Sequence, residues 1–239
     1  MNDSHRPLLS VRGDARQAVA PDYAVLTAAI TWSRPSKQEA TRAVASSLDR
    51  LIADLASQGG TALDVDTERH PLTWSAQSAS THVDRDHNKK TGRYEPTGTV
   101  TAAVTILITV RAFDQLDALG TVLASHSALH VHNVGWQVDW DNPAWPDVRA
   151  AAIGAAVRKG HDYAAALGGK LYQVEHIADV GLLGSGDDMH YASASLRMAS
   201  AGGMGSDESD APSLDPVPQE LVATIEARFS ATGLSLAQQ

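Results

Sequence analysis

Two histidines separated by one residue, His130 and His132, are the side chains of this sequence best spaced to bind a metal ion. They begin the alternating stretch HVHNVGWQVDW, and residues two apart in a β-strand point to the same face of the sheet. Imidazoles placed in this way can bind zinc or copper, and His126, at the end of the preceding predicted helix, could supply a third ligand. One hypothesis is therefore a small-ligand or metal-binding protein that uses His126, His130 and His132.

The same alternation favours a structural interpretation of these histidines. Val134 and Trp136 continue it, so we predict that they share a face with His130 and His132. A closed zinc site needs four ligands, and the chain has no cysteine to complete one. We therefore interpret the two strand histidines as partly buried residues bonded to backbone or water, and we predict no metal site and no cofactor.

Acid–base pairs are the next candidates for chemistry. His161 and Asp162 are neighbours on a predicted helix, where successive side chains point about 100° apart, so they do not face each other. His176 and Asp179 are interpreted in the same way, as surface residues. The sequence has neither Gly-x-Ser-x-Gly nor His-Glu-x-x-His, and no Gly-Lys-Ser/Thr follows its glycine-rich stretches. We predict no catalytic residues and no enzymatic activity, with a hydrolase kept only as an alternative.

The tripeptide Arg12-Gly13-Asp14 is known as an adhesion signal. Here it stands between a short apolar run and a Pro-Asp pair, which predicts a glycine-centred bend from a first strand towards a second. Acidic clusters at 187–188 and 206–210 could bind a cation, but their Gly/Ser surroundings favour a solvated linker.

Tryptophan is common in this chain, with five residues against two phenylalanines. Trp136 and Trp140 share one face of a predicted strand and are expected to fill the core. Trp145 lies in the proline-rich turn that follows, and it is the candidate for an exposed aromatic side chain at a protein interface.

Period-two patterns predict the strands that position these side chains. Aliphatic residues over 100–110 alternate with threonines, and 23–33 and 219–231 alternate in the same way. Ser36 begins an amphipathic helix as its N-cap, and the polar stretch 80–96 is predicted to be a loop. The predicted order is β-β-α-β-β-α-β-α-β-linker-β, an α+β fold with a largely antiparallel sheet and about three helices on one face.

Composition predicts the domain organisation. Residues 184–216 are rich in Gly, Ser, Ala and Asp, which is typical of a flexible linker. The expected segments are a disordered N-terminus over 1–7, an α+β domain over 8–183 with possible halves at 8–79 and 97–183, the linker, a returning strand over 217–231 and a disordered tail over 232–239.

The net charge of −9 argues against nucleic-acid binding, since phosphates would be repelled and no basic patch is segregated. No stretch of 18 uninterrupted apolar residues occurs, so we predict no membrane span. The first residues, MNDSHRPLLS, lack the pattern of a secretory signal, so we expect a cytoplasmic location.

Taken together, the motifs resemble the SIMPL-domain family of bacterial proteins over residues 8–231. The resemblance rests on the early Pro21-Asp22 before an alternating strand, the Thr/Val strand followed by a leucine helix, the alanine-rich helix that ends at Gly168-Gly169, and the closing strand. It implies an envelope- or stress-associated protein of uncharacterised biochemistry. Most members of the family are exported. We do not predict export for this chain, because no secretory signal is recognisable in its sequence.

Exposed strand edges have unpaired backbone groups that can pair with another chain, and no set of catalytic residues is recognisable in the sequence. The favoured hypothesis is therefore a non-catalytic, SIMPL-like interaction module that forms homo-oligomers or binds an unknown protein partner.

Overall fold

The computed structural model describes residues 6–183 and 215–235. These ranges contain eight strands and three α-helices, which confirms the predicted α+β class. The strands are β1 (Leu8–Val19), β2 (Tyr23–Arg34), β3 (Thr61–Ala62), β4 (Leu72–Asn88), β5 (Arg93–Val110), β6 (Leu129–Gln137), β7 (Lys170–Asp179) and β8 (Gln219–Thr232); the helices are α1 (Lys37–Ser57), α2 (Leu116–Ser125) and α3 (Trp145–Ala166). Most of the predicted linker, 184–216, and parts of both predicted tails lie outside the described residues.

The chain forms two compact units. The five-stranded unit contains residues 20–139, with the strand order β3-β4-β5-β2-β6. All its neighbouring strands are antiparallel except the short β3, which is parallel to β4. Helices α1 and α2 bury their apolar stripes in the same core as β2 and β5. Ser36 caps α1, since its Oγ accepts a hydrogen bond from the backbone N–H of Glu39 at 3.3 Å.

The three-stranded unit is assembled from three separate stretches, the described parts of 1–19, 140–205 and 219–239. β8 is its central strand and pairs antiparallel with both β1 and β7. Helix α3 packs on β1 and β8 through a stripe of small residues that includes Ala152, Ala156 and Gly160. A Cβ atom at Gly160 would lie 3.1 Å from both Leu171 and Phe229, so a side chain here would crowd the contact between α3 and the sheet.

The predicted alternation of buried residues is present in three strands. Leu26 and Ile30 of β2, Ile106 and Ile108 of β5, and Phe229 of β8 are all buried, and each belongs to the face that the sequence pattern assigns to the core. Burial of one face at period two therefore produces both sheets.

Two stretches differ from the sequence prediction. Residues 80–96 are not a loop: β4 continues to Asn88 and β5 begins at Arg93, so most of the stretch is a hairpin. Both faces of this hairpin meet water, which removes the apolar alternation that would have revealed it. The predicted bend at Arg12-Gly13-Asp14 is also wrong, because β1 runs without interruption from Leu8 to Val19.

Candidate functional site

The histidines expected to share a face with Trp136 do not do so. β2 pairs its Thr27 with Asn133 but its Ala28 with Val131, so His132 is an extra residue in β6, a β-bulge. A bulge shifts the alternation by one residue, and every side chain beyond it changes face. A bulge leaves no signature in the apolar pattern of this stretch, so the sequence could not show it.

Register then places the histidines away from the core. Val134 lies opposite the buried Leu26 and packs against the core, whereas His130 lies opposite Ala29, on the other face. His130 and His132 are both exposed. The prediction that they are partly buried near the sheet end is therefore wrong.

His126 lies apart from the strand histidines, at the C-cap of α2. Its Nε2 is 2.9 Å from Asp54 Oδ2 of α1, and its side chain is mostly buried. Among residues 6–183 and 215–235, no group of three or more His, Cys, Asp or Glu side chains is arranged to hold a metal ion. His126, His130 and His132 are thus not brought together as a ligand set.

The candidate acid–base pairs lie on the surface. His161 and Asp162 are exposed on α3, and His176 and Asp179 are exposed on β7. The acidic clusters at 187–188 and 206–210 lie outside the described residues.

The tryptophan predictions are partly corrected. β6 ends at Gln137, so Trp140 follows the strand and is 79% exposed instead of filling the core. Trp136 does pack against the core, where its ring meets that of Phe113 edge to face. Trp145 is the first residue of α3 and is half-buried, with the Arg149 guanidinium 5.3 Å from its ring centroid.

The tripeptide Arg12-Gly13-Asp14 lies within β1 and contacts β8 and α3. Arg12 donates a hydrogen bond to Glu226 of β8 at 3.0 Å, and Lys159 of α3 donates to the backbone carbonyl of Arg12 at 2.6 Å. Gly13 is buried beneath α3. The tripeptide is therefore part of a paired strand and not a projecting loop.

A charged cluster that sequence reasoning missed lies in the five-stranded unit. Arg111, just after β5, donates two hydrogen bonds to the Asp139 carboxylate, at 2.7 and 3.1 Å, and Arg69 lies 3.6 Å from the same carboxylate. The backbone N–H of Asp139 in turn donates to Asp22 Oδ2 at 2.8 Å. We call these four residues the Arg111 cluster.

Two pKa values reflect this geometry. The hydrogen bonds from Arg111 hold the pKa of Asp139 below its ordinary value, against the opposing effect of burial. Burial, followed by the negative charge of Asp139, raises the pKa of Tyr23, whose ring lies 4.5 Å from the Arg111 guanidinium. Opposite charges close together and largely shielded from water are typical of a structural tie, here between the start of β2 and the end of β6.

The hairpin of β4 and β5 extends beyond the rest of the sheet in the five-stranded unit. The pairing of β5 with β2 stops at Val100, and beyond it β4 and β5 pair only with each other within the described part of the chain. We call residues 84–97 the ribbon arm. Nearly all of its residues are exposed, including Tyr94 at 67%.

Asp84 anchors the base of the ribbon arm. Between the pairs Val83–Val100 and Arg85–Pro96, one residue of β4 faces three of β5, so the register is irregular there. Asp84 fills the irregularity by accepting hydrogen bonds from the hydroxyls of Thr99 and Thr101, each at 2.7 Å. The bond from Thr101, and then that from Thr99, lower the pKa of Asp84.

Side-chain contacts also order the tip. Asn88 Nδ2 and the Thr91 hydroxyl both donate to the Glu95 carboxylate at 2.9 Å. His87 and Tyr94 stack edge to face, with ring centroids 5.3 Å apart. The arm is therefore a defined projecting structure that could dock on another surface.

Comparison with known proteins agrees with the motif order. No helix in the described ranges is long and apolar enough to cross a membrane. No curated protein matches the chain. The model of the SIMPL family, described as "Protein of unknown function (DUF541)", matches residues 9–229, almost the whole sequence. The chain therefore belongs to the SIMPL family.

Proposed function

We propose that this SIMPL protein is a non-catalytic, self-associating module whose ribbon arm docks on a second copy of the chain. The observation that carries the proposal is the two-stranded arm, which continues past the sheet and has no third strand or helix to support it among residues 6–183 and 215–235. An isolated two-stranded ribbon is marginally stable in water, so a surface that receives it would stabilise it. The exposed Tyr94 of the arm and the exposed Val83 just before it are suitable contact residues.

Charge favours a second copy as the partner. The arm carries four basic and three acidic residues, and its tip contains Lys89, Lys90 and Arg93. The arm has a net charge of +1 and the whole sequence one of −9, so the residues outside the arm sum to −10 and offer a surface that is acidic on balance. A basic tip is attracted to such a surface, and the attraction between exposed charges falls with added salt.

Charge reversal at the tip tests the proposal. The side chains of Lys89 and Lys90 make no hydrogen bond or ion pair with the described residues, so Lys89→Glu with Lys90→Glu should leave the arm folded. The matched control is Lys37→Glu with Arg42→Glu on the exposed surface of α1, an equal change of charge. Sedimentation velocity at micromolar concentration measures the assembly of each protein.

We expect wild-type protein and the α1 control to sediment as the same oligomer. The tip variant should assemble more weakly, so that the concentration below which its oligomer dissociates is at least tenfold higher than for the wild type. A wild-type monomer at these concentrations would refute self-association. An oligomer unchanged by the tip variant would refute the role of the arm. The cytoplasmic location and the stress association stay predictions, which cell fractionation and expression measurements would test.

A further inference from the structure

A small cavity of the five-stranded unit contains several polar groups that take no part in the contacts described above. It has a volume of about 70 Å³ and lies between α1, the end of β2 and the turn from α2 into β6. One wall is apolar. The polar wall consists of Trp32, Ser47, Arg50, Ser125, His126 and Ser127. Because Arg50, Ser125 and Ser127 are exposed, the cavity opens to solvent on their side.

Ser47 has a hydroxyl proton for which the described residues provide no acceptor. Its residue is only 3% exposed, and its Oγ accepts hydrogen bonds from Trp32 Nε1 at 2.8 Å and from Arg50 Nη2 at 3.2 Å. A hydroxyl has two acceptor positions and one proton, so both acceptor positions are used and the proton remains to be donated. No group in the described ranges accepts it, and an unsatisfied buried donor is unfavourable.

Arg50 brings a positive charge to the cavity, and no carboxylate in the described part of the chain lies beside it. Its Nε donates to the backbone carbonyl of Ser46 at 3.3 Å, which together with the bond to Ser47 fixes the plane of the guanidinium. No carboxylate of the described residues lies within ion-pair distance of Arg50. Asp54, one turn further along α1, is bonded to His126. The remaining guanidinium N–H groups are therefore available to an acceptor at the mouth of the cavity.

We infer that this cavity binds a small oxyanion, of the size of acetate or inorganic phosphate. Arg50 and Ser47 are its donors. The size agrees with the volume, because a cavity of about 150 Å³ holds a benzene molecule and this one is half as large. The carboxyl end of α2 disfavours negative charge on its side, so the anion lies towards α1. This inference does not depend on self-association.

Isothermal titration of the full-length protein with sodium acetate and with sodium phosphate tests the inference, with sodium chloride at equal ionic strength as the salt control. The test variant is Arg50→Gln, which removes the charge from an exposed position and should fold. The matched control is Arg42→Gln, also exposed on α1 but outside the cavity. Circular dichroism checks that each variant is folded.

We expect saturable binding of one anion per chain, weakened at least tenfold by Arg50→Gln and unchanged by Arg42→Gln. Preference for acetate would identify the ligand as a carboxylate, and preference for phosphate would identify a phosphate-like anion. No binding of either anion at about 10 mM, well above a millimolar Kd, would refute the inference. An equal response to chloride, or equal weakening by Arg42→Gln, would also refute it, because it would indicate general screening of charge.

Discussion

Gly13 shows how one residue limits the distance between a strand and a helix. A Cβ atom built at this position would lie 2.6 Å from the backbone nitrogen of Ala156 and 2.8 Å from its Cβ. Real side chains do not approach so closely, so α3 can lie on β1 only because this residue is glycine. The central residue of the apparent adhesion tripeptide is therefore explained by packing.

We expect Gly13→Ala to lower the free energy of unfolding by about 2–3 kcal/mol, since the added methyl group must push α3 away from the sheet. Gly120→Ala is the matched control: Gly120 lies within α2 and has open space around it. That change should raise stability by up to about 1 kcal/mol, because alanine favours the helix. Urea denaturation measures both. Equal stability of Gly13→Ala and wild type would contradict the close packing.

Asp139 should make stability depend on acidity. Its pKa is lowered in the folded state, so its stabilising contribution is complete above its ordinary pKa of about 3.9 and is lost as the pH falls through the folded value. We expect Asp139→Asn to cost about 1.5–3 kcal/mol at neutral pH, the range for a hydrogen bond to a charged group. The difference from wild type should shrink below about pH 4.

The surface ion pair between Arg16 and Glu220 supplies the control for Asp139. Both of its side chains are more than half exposed, so Glu220→Gln should change stability by less than about 1 kcal/mol. Urea denaturation over a series of pH values measures both variants. A constant difference between Asp139→Asn and wild type down to pH 3 would contradict the assigned role of the carboxylate.

Among the secondary-structure elements, the sequence predicts those that have one buried and one exposed face. β2, β5 and β8 were found because burial of one face leaves a period-two pattern, as in Leu26 and Ile30. The ribbon arm was not found, because water on both faces removes that pattern. The bulge at His132 and the Arg111 cluster depend on strand register and on residues up to 117 positions apart, which composition and spacing do not encode.

The ribbon arm should depend on Asp84 for its order. Asp84→Ala removes the acceptor that joins β4 to Thr99 and Thr101, so we expect faster amide hydrogen exchange over 85–97 and unchanged exchange in β2. Asp86→Ala is the control on the same strand, because among the described residues Asp86 accepts a side-chain hydrogen bond from the backbone N–H of His87 alone and does not bridge the strands. Exchange rates in the arm that stay at the wild-type value in Asp84→Ala would contradict this role.

At the scale of the whole molecule, the three-stranded unit depends on β8 and the five-stranded unit does not. β8 pairs with both β1 and β7, whereas β2, β4, β5 and β6 pair among themselves within residues 20–139. A chain that stops before Gln219 should therefore lose amide protection in β1 and β7. It should keep protection in β2 and β5. Loss of protection in both units together would show that the five-stranded unit also requires β8.

The central position of β8 also determines the order in which a nascent chain can fold. The contact between Arg12 and Glu226 can form only after Glu226 has been synthesised, 214 residues further along the sequence. At about 5–20 residues per second, the ribosome adds that length in roughly 10–40 s. During this interval residues 20–139 can complete their own sheet, while β1 has emerged without its partner. Among the described strands, β1 is therefore the one whose partner is synthesised longest after it.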